Sequence, residues 1–203
     1  MPRSAVVVVV RAIVATLVVP IIAAIVVTGA LEPARVAHAR PASTGWFAEG
    51  GLGAVSFLKG SGSANPGPAF NLRVGRDLFS WLSVGASLAA SSHEATVPPP
   101  PEGEWFQLYR GGGDVRLTLS LERVALFLEG GAGLARISSN VLGKVGITEP
   151  GEHYSIAFQA GAGVEYQLDN RHYAVGLAAD GFALPQFNSI RAIDSRLYLR
   201  YTY

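Results

Sequence analysis

From Trp46 to Tyr203 apolar side chains alternate with polar or small ones at a period of two, and no 3.6-residue helical period persists. The alternation is clearest at 154–167, where Tyr154, Ile156, Phe158, Ala160, Ala162, Val164 and Tyr166 share one face. Ser155, Ala157, Gln159, Gly161, Gly163, Glu165 and Gln167 share the other. The same division holds at 82–91, with Leu82, Val84, Ala86 and Leu88 against Ser83, Gly85, Ser87 and Ser91, and again at 124–135. Five further segments follow the pattern less cleanly, at 46–58, 69–76, 106–121, 172–182 and 190–203, giving eight predicted strands. Segments of about ten residues match the length of a tilted membrane strand.

A soluble sandwich also has short alternating strands, so alternation leaves two architectures open. Connection length separates them. Turns near 77–80, 121–123 and 169–171 are short, whereas 59–68, 91–104, 138–152 and 183–189 are longer and richer in Gly, Pro and Ser. Short turns on one rim and long loops on the other describe an outer-membrane barrel. Aromatics also gather at segment ends. Trp46, Trp81, Tyr166, Tyr173, Tyr201 and Tyr203 lie toward the short-turn rim, and Phe70, Trp105, Tyr154 and Phe182 toward the long-loop rim. Belts of this kind form at the two interfaces of a bilayer. The predicted fold is therefore all-β, an eight-stranded antiparallel transmembrane barrel occupying 40–203.

The first 39 residues read differently. Arg3 and Arg11 flank a valine run, an uncharged apolar stretch follows from Ala12 to Leu31, and Ala37-His38-Ala39 offers a cleavage site. This is the pattern of a secretory signal removed before Arg40, with a second possible cut after Thr28-Gly29-Ala30. The alternative is an uncleaved anchor helix, since about 20 apolar residues suffice to span a bilayer. The barrel pattern downstream favours the signal.

Composition narrows the function classes. The chain is 49% hydrophobic and 15% charged, which is not the composition of a disordered tail. It has no cysteine, so disulfides and thiolate metal sites are excluded. Of the formal charge of +1, the leader carries +2 and the remainder −1, so nothing points to nucleic acid. The 24 glycines show neither a collagen period nor linker clustering.

The final strand places Leu197, Leu199, Tyr201 and Tyr203 on one face, which resembles the terminal signal read by the barrel-assembly machinery, with Tyr203 where phenylalanine is more usual. Glu129-Gly-Gly-Ala-Gly-Leu134 and Gly161-Ala-Gly-Val-Glu-Tyr166 resemble the small outer-membrane barrels of the OmpA/OmpX type over about 46–203. The resemblance implies a bacterial outer-membrane protein in contact with outer-membrane lipids, with no peptidoglycan-binding domain expected after Tyr203.

Following parity through each strand sends eleven charged residues inward: Glu49, Arg73, Arg110, Asp114, Arg116, Glu129, Glu165, Asp180, Asp194, Arg196 and Arg200. Eight strands enclose only enough space for side chains, so these are expected to pair into a plug. An unpaired buried charge costs several kcal/mol, by rough estimate. Interior glycines at 51, 53, 85, 131, 133, 161, 163 and 176 leave room for the arginines.

Candidate chemistry is sparse. His153, Ser155 and Glu165 share one face of one strand and resemble the His-x-Ser and glutamate of outer-membrane lipid A deacylases, but Ile156 stands where that family has asparagine. At about 3.3 Å per residue, Ser155 and Glu165 lie about 33 Å apart on a straight strand, too far for a base to act on a hydroxyl. His38, His93, His153 and His172 show no metal-ligand spacing, and Arg110-Gly-Gly-Gly113 precedes no helix that would make it a phosphate loop. No catalytic residue, metal or cofactor is expected. Three function classes are compared: a structural or surface-interaction protein acting through its outer loops, a narrow channel for small solutes, and a membrane enzyme. The first is favoured, because loops on a rigid scaffold are where binding residues collect. The stiff Pro98-Pro-Pro-Pro101 stretch in 91–104 reads first as a means of keeping that loop out of the sheet, with a contact surface for an unidentified ligand as the alternative.

Overall fold

A computed structural model of the chain describes residues 45–58, 64–95, 105–138, 154–170, 172–187 and 189–203. The predicted leader with its predicted cleavage sites, His153 and the Pro98–Pro101 run lie outside them.

The eight alternating segments form eight strands: β1 (Trp46–Phe57), β2 (Gly67–Phe79), β3 (Leu82–Glu94), β4 (Trp105–Leu121), β5 (Val124–Ile137), β6 (Tyr154–Gln167), β7 (Tyr173–Leu184) and β8 (Ile190–Thr202). Each pairs antiparallel with its sequence neighbours, and β1 pairs with β8 from Phe47↔Thr202 to Phe57↔Ala192, closing the barrel. Closure leaves no strand edge with unpaired backbone groups, a requirement for any sheet that crosses hydrocarbon.

Parity sorts the side chains as the sequence pattern requires. Leu52, Leu88, Leu119, Leu128 and Leu197 point outward and are more than half exposed, while Glu49, Arg73, Arg116 and Glu165 point inward and are buried. An apolar outside around a charged inside inverts the arrangement of a soluble domain and defines a bilayer-spanning barrel.

Several boundaries differ from the sequence reading. β2 continues to Phe79, so the turn shrinks to Ser80-Trp81 and Asp77 belongs to the strand. β3 continues to Glu94, which moves His93 out of a loop and into the wall, fully buried. The cause is common to both: inside a lumen that already holds partners, a polar residue does not end a strand. Phe182, assigned to the outer aromatic belt, faces inward instead and is buried. Trp105 and Tyr154 do face outward.

At the Glu122-Arg123 turn, Glu122 takes a positive φ of 54°, matching the twist of a two-residue hairpin but strained for a residue with a Cβ.

Candidate functional site: the charged lumen

All eleven charged residues assigned inward by parity do line the interior, brought there by seven different strands. Glu49 on β1 is the hub. Its carboxylate accepts from Arg116 at 2.8 and 2.9 Å, from Arg73 at 3.1 Å and from Arg200 at 3.2 Å. Three guanidiniums from β4, β2 and β8 thus converge on one group.

Each arginine is then held a second time. Arg116 Nε donates to Glu129 at 2.9 Å, Arg73 Nε donates to Asp114 at 2.5 Å, and Arg200 Nη2 donates to both oxygens of Asp77 at 2.6 and 2.7 Å. Arg196 bridges Glu129 and Asp180, and Arg110 reaches across the barrel to Asp194. Glu165 accepts from the Tyr198 hydroxyl at 3.1 Å and lies 3.7 Å from Arg116. Such multiply bonded pairs offset the desolvation that an isolated buried charge would suffer.

Four of the five arginines also stack on aromatic rings. Arg116 lies 4.1 Å from the Phe127 ring centre, Arg110 lies 3.8 Å from Phe182, and Arg73 and Arg200 lie 4.7 and 4.1 Å from Phe47. The planar cation suits this contact, which lysine would make less well. Space for these large groups comes from small neighbours. Gly176 is pressed against the Tyr198 ring, and Gly161 against the Asp180 carboxylate, so that a Cβ at either would collide with it.

Above the charges the lumen is not polar, contrary to a simple apolar-out, polar-in reading. Val55, Phe106, Leu108, Ile137, Leu184, Phe187 and Ile190 form an apolar cluster around the outer end of the interior. Phe187 is fully buried in it; it lies in the β7–β8 connection, which the sequence pattern places among the longer loops but which spans only 185–189, no more than the β6–β7 turn. Beside it Gln186 Oε1 accepts from Ser155 Oγ at 2.7 Å and from the Ile156 amide at 2.8 Å, fastening this connection to β6. A second clasp joins His93, whose Nε2 lies 2.8 Å from Ser91 Oγ and whose Nδ1 lies 3.2 Å from the Asn65 carbonyl.

Ser155 and Glu165 are therefore not brought together: they sit ten residues apart on β6, one bonded to Gln186 and the other to Tyr198. Among the described residues no three His, Asp or Glu side chains converge as metal ligands. Sequence reasoning missed Asp77, the His93 clasp and the apolar cap. Extending the odd-number parity of β2 and β3 by two residues would have found the first two. The cap gave no such signal, since apolar residues fall on both faces at the outer ends of β4, β5, β7 and β8.

The architecture defines a class, the small eight-stranded outer-membrane β-barrel. Among solved structures, the chain is similar to neisserial surface protein A at a TM-score of 0.62 and 15% identity, over 78% of this chain and 97% of that one. It is similar to OprG of Pseudomonas aeruginosa at 0.53 and 9%, over 79% and 96%. Ail of Yersinia pestis matches at 0.48 and 16%, over 78% and 99%. No family model matches the chain, and neither does any curated protein.

Proposed function

We propose that this protein is a bacterial outer-membrane scaffold that acts through its outer loops, with a lumen closed to solutes and no catalytic role. The observation that carries this reading is the double seal: Phe187 and its apolar neighbours fill the outer end, and the Glu49-centred ion pairs fill the middle. A pore would need a continuous wet path, and side chains occupy this one at two levels. On the same reading, the β8 face carrying Leu197, Leu199, Tyr201 and Tyr203 serves recognition by the barrel-assembly machinery, and lipid covers the apolar outside.

Single-channel recording of the full chain in planar bilayers tests the proposal. Silence at moderate voltage is expected. A steady conductance from the parent protein would overturn the closed-scaffold reading and favour a narrow channel for small solutes.

A further inference from the structure

The outward face of the barrel is apolar with few interruptions. Among the described residues four charged side chains of the strands face outward: Arg76 near the short-turn rim, and Glu94, Arg136 and Arg191 toward the long-loop rim. Arg136 has an aromatic neighbour on both sides. It pairs in register with Tyr109 of β4 and with Tyr154 of β6, and all three side chains point outward and are exposed. Directly opposite residues on one face stand about 5 Å apart at Cβ, so a guanidinium is set between two phenols. Its central carbon lies 5.7 Å from the Tyr154 ring centre, a cation–π contact that holds the cation beside the wall and leaves its N–H groups to donate.

The row is firmly placed. Above it the Gln107 amide donates to Ser138 Oγ at 3.1 Å and the Ser138 amide donates to the Gln107 carbonyl at 3.0 Å, which carries the β4–β5 pairing past Tyr109 and Arg136. The acids of the described residues are engaged elsewhere. Seven lie inside the barrel, Asp169 pairs with Arg123, Glu94 accepts from Asn65 Nδ2 at 2.9 Å, and Glu122 sits in the opposite rim. Depth adds a second constraint. Val124 pairs with Tyr166 of the inner aromatic belt, and the strand climbs from there to Arg136 by about 30 Å, at about 3.3 Å per residue and a tilt of about 40°. The apolar band of such a barrel is about 25 Å tall, so Arg136 stands where hydrocarbon gives way to headgroups. The row beneath it, Gly111, Leu134 and Ile156, is apolar.

We propose that Tyr109, Arg136 and Tyr154 form a binding site for the phosphate of a phosphorylated lipid headgroup in the outer leaflet. The planar guanidinium offers paired N–H donors that match phosphate oxygens, and each tyrosine adds a hydroxyl donor beside it. An anion above an apolar row is the shape of an amphiphile: the headgroup meets Arg136 while its acyl chain lies along Leu134 and Ile156. A free anion would gain only the upper half of these contacts. The site rests on the lipid-covered exterior of the reading above and is independent of the closed lumen.

Native mass spectrometry of the folded full chain in detergent, titrated with phosphatidic acid or with diacylglycerol of the same acyl chains, tests the site. Saturable retention of one phosphatidic acid is expected, with diacylglycerol held at least about tenfold more weakly, the worth of one charge-assisted hydrogen bond. Arg136→Gln should lose that preference, and Tyr109→Phe and Tyr154→Phe should each reduce it a few-fold. Arg76→Gln, whose guanidinium lies over Trp46 at the inner rim, should keep it. Heat-modifiable gel migration of each variant reports barrel formation separately, so a failed fold is not mistaken for a failed site. Equal retention of both lipids by the parent, the result if an acid of the β5–β6 connection already neutralises Arg136, would overturn the proposal. So would an unchanged preference in Arg136→Gln, or displacement of phosphatidic acid by equimolar inorganic phosphate, which would make the ligand a free anion.

Discussion

Glu49 accepts from three arginines, so its removal would release three cations at once, while each outlying carboxylate releases one or two. Glu129 is the informative case because it joins Arg116 to Arg196. Glu129→Gln should destabilise the barrel by about 3–5 kcal/mol, since two buried guanidiniums lose a carboxylate. Asp169→Asn, whose partner Arg123 is also exposed, should stay near the parent. Urea midpoints in one lipid compare the two, and equal values would remove the case for a dry ion-pair plug. Strain lies at a different residue. Glu122 holds φ at 54°, so Glu122→Gly should leave the hairpin intact and raise the unfolding free energy by up to about 1 kcal/mol, whereas Glu122→Val should lower it.

At the scale of single strands, period-two alternation was enough to assign inside and outside. In β6 every residue from Tyr154 to Gln167 takes the face that the sequence suggests. Where the reading failed, the failure was at strand ends. Asp77 and His93 look like loop residues because polarity usually marks solvent, yet each points to a lumen where Arg200 or Ser91 waits. Pairing partners were also hidden. Arg110 meets Asp194 across the barrel, 84 positions away in sequence, and Arg116 meets Glu49 at a separation of 67. Such contacts depend on barrel closure and stagger, which local pattern does not encode. Adjacent positions on β5 test the face assignment. Leu126→Arg should cost about 2–4 kcal/mol if it meets mid-membrane lipid, and Ala125→Ser, facing the lumen, should be mild. Refolding yield into vesicles, read by heat-modifiable gel migration, separates them; equal tolerance would contradict the parity.

At the scale of the whole barrel, an apolar exterior surrounds a charged middle and an apolar outer cap among the described residues. The predicted signal leader is tested at this scale. N-terminal sequencing of protein recovered from outer membranes is expected to begin at or near Arg40, and an intact Met1 would favour a retained anchor. The β1–β8 seam carries a temporal consequence as well. Phe47 is paired with Thr202, and Glu49 bonds Arg200 across 151 positions of chain, so the first strand exported waits for the last. Until then β1 is an open edge and the Glu49 carboxylate lacks one of its three cations. Contacts this distant in sequence close slowly, because the ordering entropy is spent before the contact rewards it. The stitch also has no slack: Gly53 meets the Ser195 carbonyl so closely that a Cβ would block it. The final zipping step is therefore the one most exposed to rivals, because the free edges of β1 and of the last strand already formed stay open to wrong pairings until β8 arrives.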